Sequence, residues 1–512
     1  MANSYYESPA TQTPLLLDDD VVEAAVDYQG HPVLRSTTGG WRSASFIIGV
    51  EIAERVAYYG IASNLISYLT GPLGQSTATA AQNINVWDGT ASLLTLLGAF
   101  LADSYLGRYR TIVVASLLYI LGLGLLTLSA LLPFLSASDC ETTNQSTSCS
   151  SRLQELLFFF SIYLVAVGQG GHKPCVQAFG ADQFDGQDPE ECKAKSSFFN
   201  WWYFGICAGP LCTFSLLAYI QDNLSWGLGF GIPCIVMVLA LSIFLLGTRT
   251  YRYSVKGDEE SPFVRIGKVF VVSLRNWRTC SSAIASEEES RGILPHQSSE
   301  QFKFLNKALL APDDLKGNGK VCTVVEVEEA KSILRLFPIW ATCLAYAIVF
   351  AQFSTFFTKQ GATMNRTIVP ALVEMTRLQT AKDYGLVDNP SATVPMSIWW
   401  LAPQYLLMGL ADVFTMVGLQ EFFYDQVPTE LRSVGLALYL SIFGVGSFFS
   451  SFLISAIEKA TSGMGQDSWF SNNLNRAHLD YFYWLLAGLS VVELAIFVYF
   501  AKSYIYNRRG TI

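Results

Sequence analysis

About ten apolar runs, each near twenty residues long, set the first constraint on this 512-residue chain. They fall at roughly 44–70, 84–104, 111–135, 154–179, 198–220 and 226–247. A polar stretch of about 85 residues follows, then runs near 333–358, 397–419, 433–457 and 480–505. A helix needs roughly 20 apolar residues to cross the hydrocarbon core of a bilayer. No water is available there, so the backbone must satisfy itself and each run is expected to be a helix. Composition points the same way: 51% of residues are hydrophobic and only 15% charged, against about 25% charged in globular proteins. A soluble enzyme, a disordered chain and a disulfide scaffold are thereby excluded. The expected fold class is an all-α polytopic membrane protein.

The 33 Lys and Arg against 42 Asp and Glu give a net charge of −9. Nothing resembles a basic nucleic-acid-binding face, so no nucleic acid is expected as a partner. The ten Cys lack metal-ligand spacing, and no metal or cofactor is expected. Lys and Arg near the span ends set orientation. Arg108 and Arg110 follow the second run, Lys193 and Lys195 the fourth, Arg249 and Arg252 the sixth, and Arg508 and Arg509 lie at the C-terminus. Both termini and the central loop are therefore expected in the cytosol, and the third loop outside or in a lumen. That loop holds Asn144, a candidate for glycosylation, and Cys140 and Cys149, candidates for a disulfide in an oxidising compartment. The expected layout is an acidic cytosolic tail over 1–43 without a cleavable signal peptide, a six-helix bundle over 44–247, a cytosolic linker over 248–332, a second helix bundle over 333–505, and a short tail over 506–512. Pro262 to Phe270 in the linker reads as an amphipathic helix lying on the membrane surface.

Charged groups inside spans are costly and mark function by default. The first run carries Glu51, Glu54 and Arg55. On a helix Glu51 and Arg55 are i, i+4 neighbours with Glu54 close by. Two acids beside one base leave a surplus carboxylate, which needs another cation or a proton. Lys173, set among glycines and before Pro174 in the fourth run, is the candidate cation. Its pair with the first run is either structural or one that opens and closes with proton binding. His172 beside it is expected to be a hydrogen-bonded spacer. Asp412 is the lone acid of its run and is expected to face a watery cavity, while Glu493 in the last run is expected to be structural. Gly98, Asp103, Gly107 and Arg108 join the second and third runs: glycines permit close crossing, and Asp103 with Arg108 can lock a cytosolic turn. No nucleophile–base constellation argues for an enzyme, and no ringed charges or filter-like loop for a channel.

The turn from Gly98 to Arg108 resembles the cytosolic signature of the major facilitator superfamily. The Glu51–Gly60 run, Gly170-Gly171-His172-Lys173-Pro174-Cys175 and Phe198–Gly205 together resemble the proton-coupled oligopeptide transporter family, and more narrowly its plant branch, the nitrate transporter/peptide transporter family. Phe356–Met364 and Leu419–Pro428 fit that branch as well. The resemblance implies two six-helix bundles around a central cavity and a proton-coupled symporter of small anionic or peptide-like solutes, such as nitrate or di- and tripeptides, working by alternating access. The proton gradient would be the driving force, and the membrane that of the cell surface or the vacuole. It implies coupling through Glu51, Glu54, Arg55 and Lys173, and places Tyr58, Tyr59, Asn64, Phe350, Gln352 and Asp412 along the cavity. Thr111 matches the position of a regulatory Thr in the nitrate branch and is a candidate for phosphorylation, although a plain helix start explains it too. Phe350 stands where a nitrate carrier has His, and cannot take a proton.

A twelve-helix carrier needs two more spans after the seventh, and residues 359–396 contain no run long enough to supply them. Val369–Leu378 looks like the distal end of the family's ninth helix joined directly behind the seventh. The expectation is therefore six N-terminal and four C-terminal spans, with about 60 residues absent. The competing function is a shortened form with impaired or no transport, regulatory in role.

Overall fold

The computed structural model describes residues 21–135, 152–185, 188–254, 262–277, 301–309, 322–352, 355, 364–367, 370–389, 394–399, 432–462 and 468–504, together with short pieces between 406 and 427. Asn144, Cys140, Cys149 and Asp412 lie outside them.

The first half is helical almost throughout. Its helices are α1 (Gly40–Ala62), α2 (Leu65–Thr70), α3 (Thr77–Leu101), α4 (Arg108–Leu135), α5 (Arg152–Ala181), α6 (Pro189–Cys212), α7 (Ala218–Asn223) and α8 (Trp226–Leu246). Starts are set by side chains that accept otherwise unpaired backbone N–H groups. Ser76 accepts from Thr79 at 3.1 Å, and Asp188 accepts from Glu191 at 3.0 Å just ahead of Pro189. The first apolar run is not one helix, because it breaks at Ser63–Asn64 between α1 and α2. Between α3 and α4 the chain makes a π-helical turn over Ala102–Leu106 and leaves it through Gly107 at φ 81°, a left-handed backbone that favours glycine.

Three short strands, β1 (Val21–Val26), β2 (Pro32–Leu34) and β3 (Tyr253–Ser254), form an antiparallel sheet in the order β2-β1-β3. It ties the N-terminal segment to the exit of α8. Arg252, 1% exposed, secures the same junction by gripping Glu191 with both terminal nitrogens, at 2.7 and 3.0 Å, and by donating to the Thr38 carbonyl at 2.7 Å. Such a two-pronged guanidinium–carboxylate contact fixes geometry as well as adding energy.

After the first half come α9 (Pro262–Arg275), α10 (Val324–Thr342), α11 (Leu344–Phe350), α12 (Pro370–Asp383), α13 (Arg432–Thr461) and α14 (Leu479–Ser503). The helix read from Pro262 is present and runs on to Arg275. Val264, Val271 and Leu274 are exposed along it, while Val269 is buried against the segment at 303–309 and α10. Among the described residues six helices are long and apolar enough to cross a membrane, or seven spans if α10 and α11, bent by 48° at Cys343, are one. The start of the 397–419 run overlaps strand β5 (Val394–Trp399), which pairs in parallel with β4 (Met364–Thr367), and the described pieces of the run beyond it are helical. Among the described residues the second half has two membrane-length helices, α13 and α14, and one bent pair. The helix read from Val369 is α12, but it is not apolar: Glu374 and Arg377 are fully buried on it, paired at 2.7 Å, and Arg377 also donates to Asn475 at 2.6 Å.

The two halves meet where α3 lies along α13. A Cβ on Gly89 would come within 3.0 Å of the Gly444 carbonyl oxygen, so the two backbones are nearly in contact. Small residues permit this approach between helices in a membrane.

Candidate functional site

α1 carries the charged residues to the centre of the first half. Arg55 Nε lies 3.1 Å from Glu51 Oε1, the i, i+4 contact read from the sequence, and Arg55 Nη2 pairs with Glu54. All three are at most 5% exposed. One guanidinium thus holds two buried carboxyl groups, and with both ionised the triplet carries one net negative charge. The Arg55 guanidinium lies 5.9 Å from the Tyr58 ring centroid. Tyr58 stacks on Trp87 of α3 at 5.8 Å and meets Tyr59 edge-on at 5.1 Å.

Lys173 enters from α5. Among the described residues it closes no ion pair with the triplet, whose carboxylates are both taken by Arg55. The charges within electrostatic reach of it are Arg55, Glu54, Asp88 and Glu51. His172 is fully buried, and neither ring nitrogen has a hydrogen-bond partner among the described residues, so it is not the hydrogen-bonded spacer expected.

Asp88 on α3 is the acid that the sequence reading passes over. Its Oδ1 accepts from the Tyr58 hydroxyl at 2.6 Å and its Oδ2 from the Ser447 hydroxyl of α13 at 3.0 Å. One signal was available: Asp88 sits inside the second apolar run, where an acid is a functional candidate by default.

Gln352 reaches this seam from the second half. It is fully buried and donates to Ser450 at 2.9 Å, and Asn85 of α3 donates to the same hydroxyl at 2.9 Å. Phe350 lies instead in an aromatic group, edge-on to Phe443 at 5.2 Å. Asn64 is not with the cluster. The break after α1 frees its side chain, which donates to Asp222 at 2.7 Å at the far end of the first half. Glu493 accepts the Tyr346 backbone N–H at 3.1 Å, one of the donors released by the α10–α11 bend, and so has the structural part expected of it. It also lines a cavity of about 560 Å³ between α10, α14 and residues 414–422, away from the triplet.

At the other end of α3, Arg108 Nε lies 3.6 Å from Asp103, and Arg108 also pairs with Asp182 beyond α5, a partner not foreseen. The Thr111 hydroxyl is buried and donates to the Gly107 carbonyl at 3.0 Å, the plain helix-start role; a kinase would have to open the turn to reach it. Gly98 packs against α5, where a Cβ would overlap the backbone of Gly170 and Gly171. Overpacking costs about 1–3 kcal/mol or more. Gly98→Val is expected to lose most folded protein, and Gly124→Val, with nothing within 4 Å of its Cβ position, little. Abundance and thermal melting in detergent check both.

The fold is one of membrane-length helices around a buried charge cluster. The family model described as "POT family" matches residues 109–370 and 367–470. Protein NRT1/PTR FAMILY 5.10 of Arabidopsis thaliana is 59% identical, with 98% of each chain covered. Protein NRT1/PTR FAMILY 5.14 of the same plant is 51% identical over 97% of this chain and 99% of its own. The crystal structure of the POT family transporter PepTSo superposes with a TM-score of 0.62 at 19% identity, over 90% of this chain and 98% of that one. A POT family structure in complex with a thioalcohol conjugated peptide gives 0.57 at 16% identity, over 93% and 97%. This chain belongs to the POT family: it is a multi-pass membrane transporter and not an enzyme.

Proposed function

We propose that the chain's function is proton-coupled symport of small peptide-like or anionic solutes by alternating access. One observation carries the reading. Glu51 and Glu54 share Arg55 in a buried site, leaving a negative charge that one proton or the ammonium of Lys173, which closes no ion pair with them among the described residues, can neutralise. Binding a proton and closing the Lys173 contact are then alternatives, which is what coupling requires. Asp88 makes a third carboxylate against two cations, a balance that favours a solute bearing an ammonium group, such as a short peptide, over nitrate. Tyr58, Tyr59, Gln352 and Asp412 are the proposed solute-facing residues, and Asp103 with Arg108 and Asp182 the cytosolic lock. The test is uptake of a labelled dipeptide and of nitrate against external pH. Uptake is expected to rise as external pH falls, and Glu54→Gln to remove both accumulation and pH dependence. Flat pH dependence with fully active Glu54→Gln would overturn the reading.

We also propose that the chain lacks one helix pair of the family fold. The family match comes in two parts that meet at residues 367–370. The alignment with the first relative spans 561 positions, whereas 98% of this chain supplies about 502 residues, so about 59 positions have no counterpart here. In a chain so shortened, transport is expected to be impaired.

A further inference from the structure

We propose that Asp88 is the pin that holds the non-cytosolic end of the pathway shut and ties that closure to the buried charge cluster; this rests on the transporter reading above. The two oxygens of one carboxylate serve different halves of the molecule. Oδ1 takes the Tyr58 hydroxyl of α1 at 2.6 Å, and Oδ2 takes the Ser447 hydroxyl of α13 at 3.0 Å. Tyr58 is in turn the residue whose ring faces the Arg55 guanidinium. A chain of three contacts therefore runs from the Glu51–Arg55–Glu54 triplet, through Tyr58 and Asp88, to the second half.

The seam around Asp88 is polar on one side of it and close-packed on the other. Toward the start of α3, Asn85 donates to Ser450 at 2.9 Å, Ser451 donates to the Gln82 carbonyl at 3.3 Å, and Gln82 donates to Glu458 at 3.1 Å. Beside Asp88, the Gly89 and Gly444 backbones abut. By the Lys and Arg bias, the start of α3 and the end of α13 face away from the cytosol. The Asn85–Ser450 and Ser451–Gln82 contacts are neutral, whereas those to the carboxylates of Asp88 and Glu458 are roughly twice as strong, and of these two only Asp88 also contacts α1 through Tyr58. Removing Asp88 also strands the Ser447 hydroxyl, which is 2% exposed in its residue, and an unsatisfied buried group carries its full desolvation cost. Asp88 is thus a positioning residue: it touches both halves without being part of the ion-paired triplet.

The test uses the full chain in native membranes, with Gln82→Cys and Glu458→Cys as a reporter pair across the seam. A short bifunctional thiol reagent is applied, and the fraction of chains whose halves stay joined after proteolysis in the central linker is read against the chain without the pair. Asp88→Asn is expected to lower the closed-to-open ratio about tenfold, and Ser447→Ala to lower it similarly, while Ser447→Thr, which keeps the hydroxyl, restores it. Combining Asp88→Asn with Ser447→Ala is expected to add little to either. Thermal melting separates this from loss of fold, because the reporter ratio is read only on chains that melt as the parent does. If Asp88→Asn fails to fold, Ser447→Ala alone decides. An unchanged ratio, or additive effects of the two substitutions, would overturn the pin. Because the readout is seam closure and not uptake, it stands or falls separately from proton coupling.

Discussion

Replacing Arg55 with methionine is expected to abolish transport and to remove most of the folded protein from the membrane. The substitution leaves Glu51 and Glu54, 4% and 0% exposed, without the guanidinium that now contacts both. Breaking a buried ion pair by deleting one partner costs about 3–5 kcal/mol, because a charge is left uncompensated in a medium of low dielectric. Lys173 lies within electrostatic reach but in no ion pair with them among the described residues, so it offsets only part of that loss. The charge account makes a second, sharper demand. Adding Glu51→Gln and Glu54→Gln to Arg55→Met removes the stranded charges, and abundance is expected to recover while transport stays absent. If the triple variant is as scarce as Arg55→Met alone, the arginine matters for its packing and the charge account of the cluster is wrong. Membrane abundance, thermal melting and uptake, measured side by side, decide.

The second large effect concerns the second half. Inserting about 60 family-like residues after Ile368 is expected to raise uptake per molecule at the membrane at least tenfold. Carriers of this kind move one packed bundle against the other around a central site. On the proposal that one helix pair is missing, the second bundle lacks part of the wall it would move. α12 buries the Glu374–Arg377 pair against Asn475 and the Leu474 carbonyl, and β5 pairs with β4 at the start of the 397–419 run. Phe414, Leu406 and Leu410 are exposed, and lipid can solvate such apolar faces, so insertion need not fail even where transport does. Uptake equal in the two proteins would show that the shorter second half suffices.

The first half could be read closely from residues because its signals are local. Glu51 and Arg55 are one helical turn apart inside an apolar run, so their contact follows from spacing alone. The Gly98–Arg108 turn is likewise local, and Gly107 adopts the positive φ that its place between two helices requires. What escaped is long-range. Asp88 finds its partners 30 and 359 residues away in sequence, and a single acid does little to the hydropathy of its run. Asn64 pairs with a residue 158 positions away once the helix breaks beside it, which spacing on an unbroken helix cannot foresee. In the second half, hydropathy alone counts spans by length. It does not see that the chain bends one of them by 48° at Cys343, or that Val394–Trp399, at the start of another, pairs as a strand.

The central claim is that solute and proton move together because the Glu51–Arg55–Glu54 triplet and Lys173 exchange one neutralising partner for another. It is tested most directly by proton flux into proteoliposomes holding the protein with the helix pair restored, loaded with a pH-sensitive dye and given an external dipeptide without an imposed membrane potential. The account predicts inward acidification that starts with the dipeptide, scales with its concentration and is absent in Glu54→Gln, although that variant still binds the dipeptide. Dipeptide entry with no acidification, or acidification of parental size in Glu54→Gln, would contradict it.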